Sequence, residues 1–165
     1  MNKIIFTFCL LFFYKSIYAL QLQCNFEEVY QDGQIQNGIM LLGSDQVRYQ
    51  YHDVKLFTLI YHNNKILYSV SNQNPSELSQ INHNKDIFQT ILDLKDKNNI
   101  LPQTLHLDGM QVDIEKNQSD SFVKRLAIRS KQLNMSIFFI NCVEKKIDKK
   151  FFYVNPFYKF NQNDL

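Results

Sequence analysis

The chain has 165 residues, 18 Lys and Arg against 16 Asp and Glu, and 45% hydrophobic side chains. That composition excludes disorder as the default state. Four glycines and three prolines exclude collagen-like and glycine-rich linker classes. The length suits one domain large enough to bury its own core.

The first 19 residues read as an address. Met1-Asn2-Lys3 is a short positive start, Ile4 to Tyr14 is apolar apart from Thr7, and Ser16-Ile17-Tyr18-Ala19 offers a small residue at a cut. The apolar run is shorter than the roughly 20 residues a membrane-spanning helix needs, and Lys15 interrupts it. An uncleaved anchor is the alternative. The expected organisation is a cleavable signal peptide, residues 1–19, followed by a single domain, residues 20–165, exported to the periplasm. Cleavage removes Lys3 and Lys15 and no acid, leaving 16 bases against 16 acids. A neutral mature chain has no general electrostatic reason to bind nucleic acid. Cys9 leaves with the signal, and Cys24 and Cys142 remain. In an oxidising compartment they form a disulfide or stay as two buried thiols; the bond is the expectation.

Strands dominate the mature chain. Leu20 to Phe26 alternates apolar and polar, as a half-buried strand does. Asp32-Gly33 signals a two-residue hairpin. Gln34 to Leu42 returns and ends apolar on both faces, and Gly43-Ser44-Asp45 turns the chain. Val47, Tyr49 and Tyr51 fall on one face of the next strand, with Gln46, Arg48 and Gln50 on the other. His52-Asp53 turns into a strand from Val54 to Tyr61, Asn63-Asn64 makes another tight turn, and Lys65 to Val70 pairs back. A short strand near Leu78 to Ile81 follows the break at Pro75. The period then changes. Asn84 is placed to cap a helix whose stripe is Ile87, Phe88, Ile91, Leu92 and Leu94, and Pro102 prevents its continuation.

The second half returns to strands. Leu105 and Leu107 alternate with polar neighbours, Asp108-Gly109 is a hairpin turn, and Met110, Val112 and Ile114 share a face. Phe122 to Arg129 and Asn134 to Val143 are further strands, the latter apolar on both sides. An aromatic segment, Phe151 to Phe160, closes the chain. The expected fold is mainly β, an antiparallel meander interrupted by one helix. Strands apolar on both faces require either a curved sheet around a ligand cavity or a filled sandwich core.

Two segments carry a family resemblance. Val47-Arg48-Tyr49-Gln50-Tyr51 reads as an aromatic strand placed after Gly38 and a short apolar strand, and Tyr61-His62-Asn63-Asn64-Lys65-Ile66-Leu67-Tyr68 reads as a hairpin. This pattern resembles the LolA-like periplasmic carriers of outer-membrane lipoproteins. The resemblance implies an incomplete, half-barrel antiparallel sheet with a helix over its open side and an apolar concave face that holds acyl chains. The family's Arg-Pro dipeptide would fall on Gly43-Ser44 and is missing here, and Arg48 is not given its role.

The resemblance implies a non-catalytic carrier of lipoprotein acyl chains or other lipid towards the outer membrane, and membrane-bound donor and acceptor proteins as its expected partners. A monomer without cofactor or metal is expected. The candidate ligand-binding residues are Val47, Tyr49, Tyr51, Phe57, Leu59, Phe88, Ile91 and Leu92. Ordinary core packing is the alternative for each, and a movable lid is the functional reading of the helix. The alternative function is an exported protein-interaction module with a filled β core. His52, His62, His83 and His106 are not spaced as metal ligands, and no nucleophile-elbow, phosphate-loop or zinc-protease motif appears. Lys145, Lys146, Lys149 and Lys150 form a basic cluster, read as a solvated face.

Overall fold

A computed structural model describes residues 21–62, 66–82, 85–95, 102–107, 109–116 and 122–154. The segment expected to be a signal peptide, the expected turn at Asn63-Asn64, the expected cap Asn84, His83 and the end of the aromatic tail lie outside the described residues.

The described chain forms ten antiparallel strands and one α-helix. The strands are β1 (Leu22–Tyr30), β2 (Ile35–Leu42), β3 (Gln46–Tyr51), β4 (Phe57–His62), β5 (Ile66–Ser71), β6 (Leu78–Ile81), β7 (Thr104–Leu107), β8 (Met110–Lys116), β9 (Val123–Arg129) and β10 (Asn134–Glu144). The helix α1 (Lys85–Lys95) connects β6 towards β7, and a short 3-10 turn (Lys149–Phe152) follows β10. All ten strands belong to one sheet, in the order β6-β5-β4-β3-β2-β1-β10-β9-β8-β7. Sequential hairpins build two meanders, and β1 pairs with β10 to join them. The sheet is not closed into a barrel: β6 and β7 are its edges.

Cross-strand partners place one side chain of each pair against the other on a common face. Leu22, Leu42, Val47, Tyr61, Leu67 and Ile81 form one such row across β1 to β6. Tyr30, Met135, Ile128, Val112 and Leu105 form another across β1, β10, β9, β8 and β7. This inner face and the stripe of α1 make one continuous apolar cluster.

The opposite face explains the two-sided apolar pattern of β2. Ile39 and Leu41 of β2 are buried there under Ile147, Phe151 and Phe152, so the segment after β10 runs as a strap across the outer face. Lys145 N–H donates to the Gln21 carbonyl (3.1 Å), and Ile147 N–H donates to Gln21 Oε1 (2.7 Å). Phe152 lies 3.0 Å from where a Cβ on Gly43 would sit.

Three boundaries differ from the sequence reading. β1 continues to Tyr30 rather than stopping at Phe26. Its turn is a three-residue loop rather than a two-residue one: Tyr30 N–H donates to Gln34 O (2.9 Å), Gly33 N–H donates to Tyr30 O (3.0 Å), and Gly33 closes the loop at φ +85°. The strand expected from Val54 begins at Phe57. Asp53 Oδ1 accepts Lys55 N–H (2.9 Å) and Asp53 O accepts Leu56 N–H (3.1 Å), so this local turn outcompetes the ladder. Leu107 pairs with Met110, as the expected hairpin requires, and Gly109 has φ +77°; Asp108 lies outside the described residues.

The Cys24–Cys142 disulfide is formed, with a Cα–Cα distance of 4.1 Å. It bridges β1 and β10 where the register shifts between Gln23 and Asn25. Asn141, the residue before Cys142, has φ +53°, which absorbs the extra residue of this bulge.

Candidate functional site

The eight candidate residues all belong to the inner side. Val47 faces Leu42 and Tyr61, and Tyr49 faces Met40 and Leu59. Ring contacts carry the packing outward: Tyr51 meets Phe57 edge-on at 5.3 Å, and Tyr49 meets Phe88 of α1 edge-on at 6.0 Å. Phe88 also stacks on Tyr61 at 5.9 Å. Val47, Tyr49, Tyr51, Phe88, Ile91 and Leu92 are buried, Leu59 is half-buried, and Phe57 is 38% exposed at the rim.

Helix α1 sits on this face as its apolar stripe dictates. Ile87, Phe88, Ile91, Leu92 and Leu94 are buried, and Asp86 and Lys95 complement the helix dipole at its two ends. Two polar ties fix it. Tyr61 Oη donates to Gln89 Oε1 (2.8 Å), and Lys95 Nζ donates to the carbonyls of Gly43 (2.7 Å) and Ser44 (2.9 Å). Burial, with smaller contributions from Asp86 and Asp93, raises the Tyr61 pKa above the usual phenol value.

Beside the candidates lies a group the sequence reading missed. Glu28 is 3% exposed on the inner face, opposite Gln36 and Ile137. Its carboxylate accepts hydrogen bonds from three tyrosines. Tyr49 Oη donates to Oε1 (2.8 Å), Tyr30 Oη donates to Oε2 (2.7 Å), and the Tyr51 hydroxyl is shared between the two oxygens at 3.0 Å each. Phe26 stacks on Tyr49 at 3.7 Å and walls the cage. Burial first, then the nearby Glu28 charge, pushes the Tyr49 and Tyr51 hydroxyls well above the usual phenol range. For Tyr30, burial and its bond to Glu28 act in the same direction. These hydroxyls are therefore donors over the whole ordinary pH range. The signal for Glu28 was present: the period that places Leu22, Cys24 and Phe26 inside also places residues 28 and 30 there.

Among the described residues no histidine hydrogen-bonds the cage. His62 Nδ1 is 3.0 Å from Gln46 Nε2, and His52 Nδ1 is 3.1 Å from Asn37 Oδ1. Burial lowers the His62 pKa. Among the described residues no group of His, Cys, Asp and Glu is arranged to hold a metal ion, and no helix is long and apolar enough to cross a membrane.

No protein-family model matches the chain, and no curated protein matches it in sequence. A solved structure described as "Structure of PNGF-II in C2 space group" overlaps 81% of this chain with a TM-score of 0.40 and 11% identity. The overlap spans 29% of that protein's length, and a likeness this slight carries no functional argument.

Proposed function

We propose that the protein is an exported, non-catalytic carrier, similar to the LolA-like half-barrels, acting in the periplasm. Its sheet curves into a trough, and an acyl chain of a lipoprotein or other lipid lies between that trough and α1. One observation carries this reading. A continuous apolar face runs across both meanders, and among the described residues one eleven-residue helix packs over it.

Magnitudes favour reversible exchange. Lifting α1 returns five large apolar side chains to water, at about 1.5–3 kcal/mol each. An acyl chain of about sixteen carbons regains about 0.8 kcal/mol per methylene, or about 13 kcal/mol. The two terms are similar in size, so a lipid can displace the helix without trapping itself. Membrane-bound donor and acceptor proteins would set the direction of transfer.

The second reading is a protein-interaction module with a filled core. It is favoured by the 3.7 Å Phe26–Tyr49 stack and by Tyr49 meeting Phe88 of α1 at 6.0 Å, which fill the inner face with side chains. Native mass spectrometry of residues 20–165, purified under mild conditions and then incubated with phospholipid and a lipoprotein, separates the two. A bound species of acyl-chain mass that leaves on delipidation supports the carrier. A mass that stays that of the bare chain supports the interaction module.

A further inference from the structure

The inner face is apolar, yet it holds a buried carboxylate. Among the described residues, the partners of Glu28 are tyrosine hydroxyls, and none carries positive charge. Three hydroxyl dipoles offset part of the cost of removing a carboxylate from water; a cation beside it would offset the remainder.

Access is on the Tyr30 side. Tyr30 is half-buried and lines a hollow of about 500 Å³ with Gln31, Asp32, Gln132, Leu133 and Asn134. Tyr30 and Leu133 also pack against the inner cluster, so the hollow borders the proposed trough. Tyr30 has somewhere to turn. Its hydroxyl lies 2.7 Å from Glu28 Oε2 and 3.4 Å from Gln36 Oε1, a second acceptor on the neighbouring strand. Asp32 at the same mouth adds negative charge near the Tyr30 hydroxyl.

We propose that Glu28, Tyr30, Tyr49 and Tyr51 form the headgroup site of the carrier, and that the headgroup it takes is an ammonium. The proposal rests on the carrier reading and names its ligand class: an amphiphile whose chain lies under α1 and whose cationic end sits at the cage. An entering ammonium meets Asp32 and replaces the Tyr30 hydroxyl at Glu28 Oε2. A carboxylate in a water-poor setting attracts a cation more strongly than one in water. An anionic headgroup meets the same field with the opposite sign.

The test measures binding of four probes to the mature protein: dodecylammonium, dodecanol, dodecanoate and butylammonium. The expected result is a preference of about tenfold or more for dodecylammonium over dodecanoate, with dodecanol between them. In Glu28→Gln that preference falls below about threefold. Asp32→Asn keeps the turn acceptor at Gln34 N–H and serves where Glu28→Gln does not fold; a partial loss of preference is expected. Dodecanoate binding as well as dodecylammonium, or an unchanged preference in Asp32→Asn, overturns the headgroup site while leaving the carrier standing. Failure of all three twelve-carbon probes overturns the carrier reading and this inference together. Butylammonium binding as tightly as dodecylammonium assigns the cage to a free amine and overturns the amphiphile.

Discussion

Phe26 and Gly38 are cross-strand partners, and the ring of Phe26 occupies the space a side chain at 38 would need. A Cβ built on Gly38 would lie 2.5 Å from Phe26 Cζ and would collide with the Gln50 carbonyl oxygen. Phe26 in turn stacks on Tyr49 and meets Tyr51 edge-on at 5.4 Å, so Gly38 is what lets the cage wall close. Gly38→Ala is expected to destabilise the fold by about 2–3 kcal/mol, since backbone and ring both must shift. Urea denaturation checks this; a loss below about 0.5 kcal/mol would show that the ring moves freely.

The Glu28 cage ranks variants. Glu28→Ala leaves the buried Tyr49 and Tyr51 hydroxyls without their acceptor, each at about 1–3 kcal/mol, while the half-buried Tyr30 keeps Gln36 Oε1 within 3.4 Å. Glu28→Gln retains one acceptor oxygen and is expected to cost less. Tyr51→Phe and Tyr49→Phe each remove one donor to a charged group, at about 1.5–3 kcal/mol. Equal stability of Glu28→Ala and Glu28→Gln in denaturant would mean that the hydroxyls find water or other partners.

Alkaline stability follows from the same hydroxyls. Folding raises the pKa values of Tyr30, Tyr49 and Tyr51 above the ordinary 10.0. Below that pH both folded and unfolded tyrosines are protonated, and the groups add no pH dependence. Above it the unfolded chain releases protons that the folded chain keeps, so stability falls as pH rises. Absorbance titration at the tyrosinate band is expected to show these three phenols ionising together with unfolding. Ionisation of all tyrosines near pH 10 in a chain that remains folded would contradict the buried cage.

The disulfide joins the two meanders across a separation of 118 residues. Loop entropy assigns such a link about 4–5 kcal/mol, the upper end of the measured range. The double variant Cys24→Ser with Cys142→Ser should lower the unfolding free energy by about 2–5 kcal/mol, and the denaturation midpoint falls with it. An unchanged midpoint would mean that the β1–β10 ladder holds the seam by itself.

Most of the strand order was legible because turns and alternation are local signals. Gly43-Ser44, Gly109 and the helical stripe from Ile87 to Leu94 each announce an element within a few residues. The union of β1 with β10 is non-local, and its trace in the sequence is the pair Cys24 and Cys142. Five of the eight candidate residues lie in β3 and β4 and three in α1, and they gather on one face because period two and period 3.6 place them there. Glu28 was lost because a polar residue after Phe26 looks like the end of a strand; only the carboxylate's three hydroxyl partners, from β1 and β3, make its burial tolerable. The two-sided apolar pattern of β2 was legible, but its cause was not. A cavity or a sandwich was expected to explain it; on β2 a strap of residues 145–153 covers the outer side of Ile39 and Leu41.

Arg48 pins that strap. It is 6% exposed on the outer face, and its Nη1 donates to the Phe151 carbonyl (3.0 Å). Nε and Nη2 both donate to Gln50 Oε1, at 3.1 and 3.0 Å. The guanidinium fork serves two acceptors at once, which an ammonium on a flexible stem cannot reproduce. Arg48→Met keeps an apolar stem of similar reach and removes these donors. It leaves the buried Phe151 carbonyl without this donor, at about 1–3 kcal/mol, and the half-buried Gln50 Oε1 without two more at a smaller cost. Strap release should therefore precede global unfolding in this variant. Trypsin cutting after Lys149 and Lys150 is expected to accelerate by about tenfold or more, because about 1.4 kcal/mol of lost local stability is a tenfold rise in the open population. Arg48→Lys should fall between the two. A variant that is globally weakened while its strap is cut no faster than in the parent would mean that Ile147, Phe151 and Phe152 hold the segment by apolar burial without the arginine.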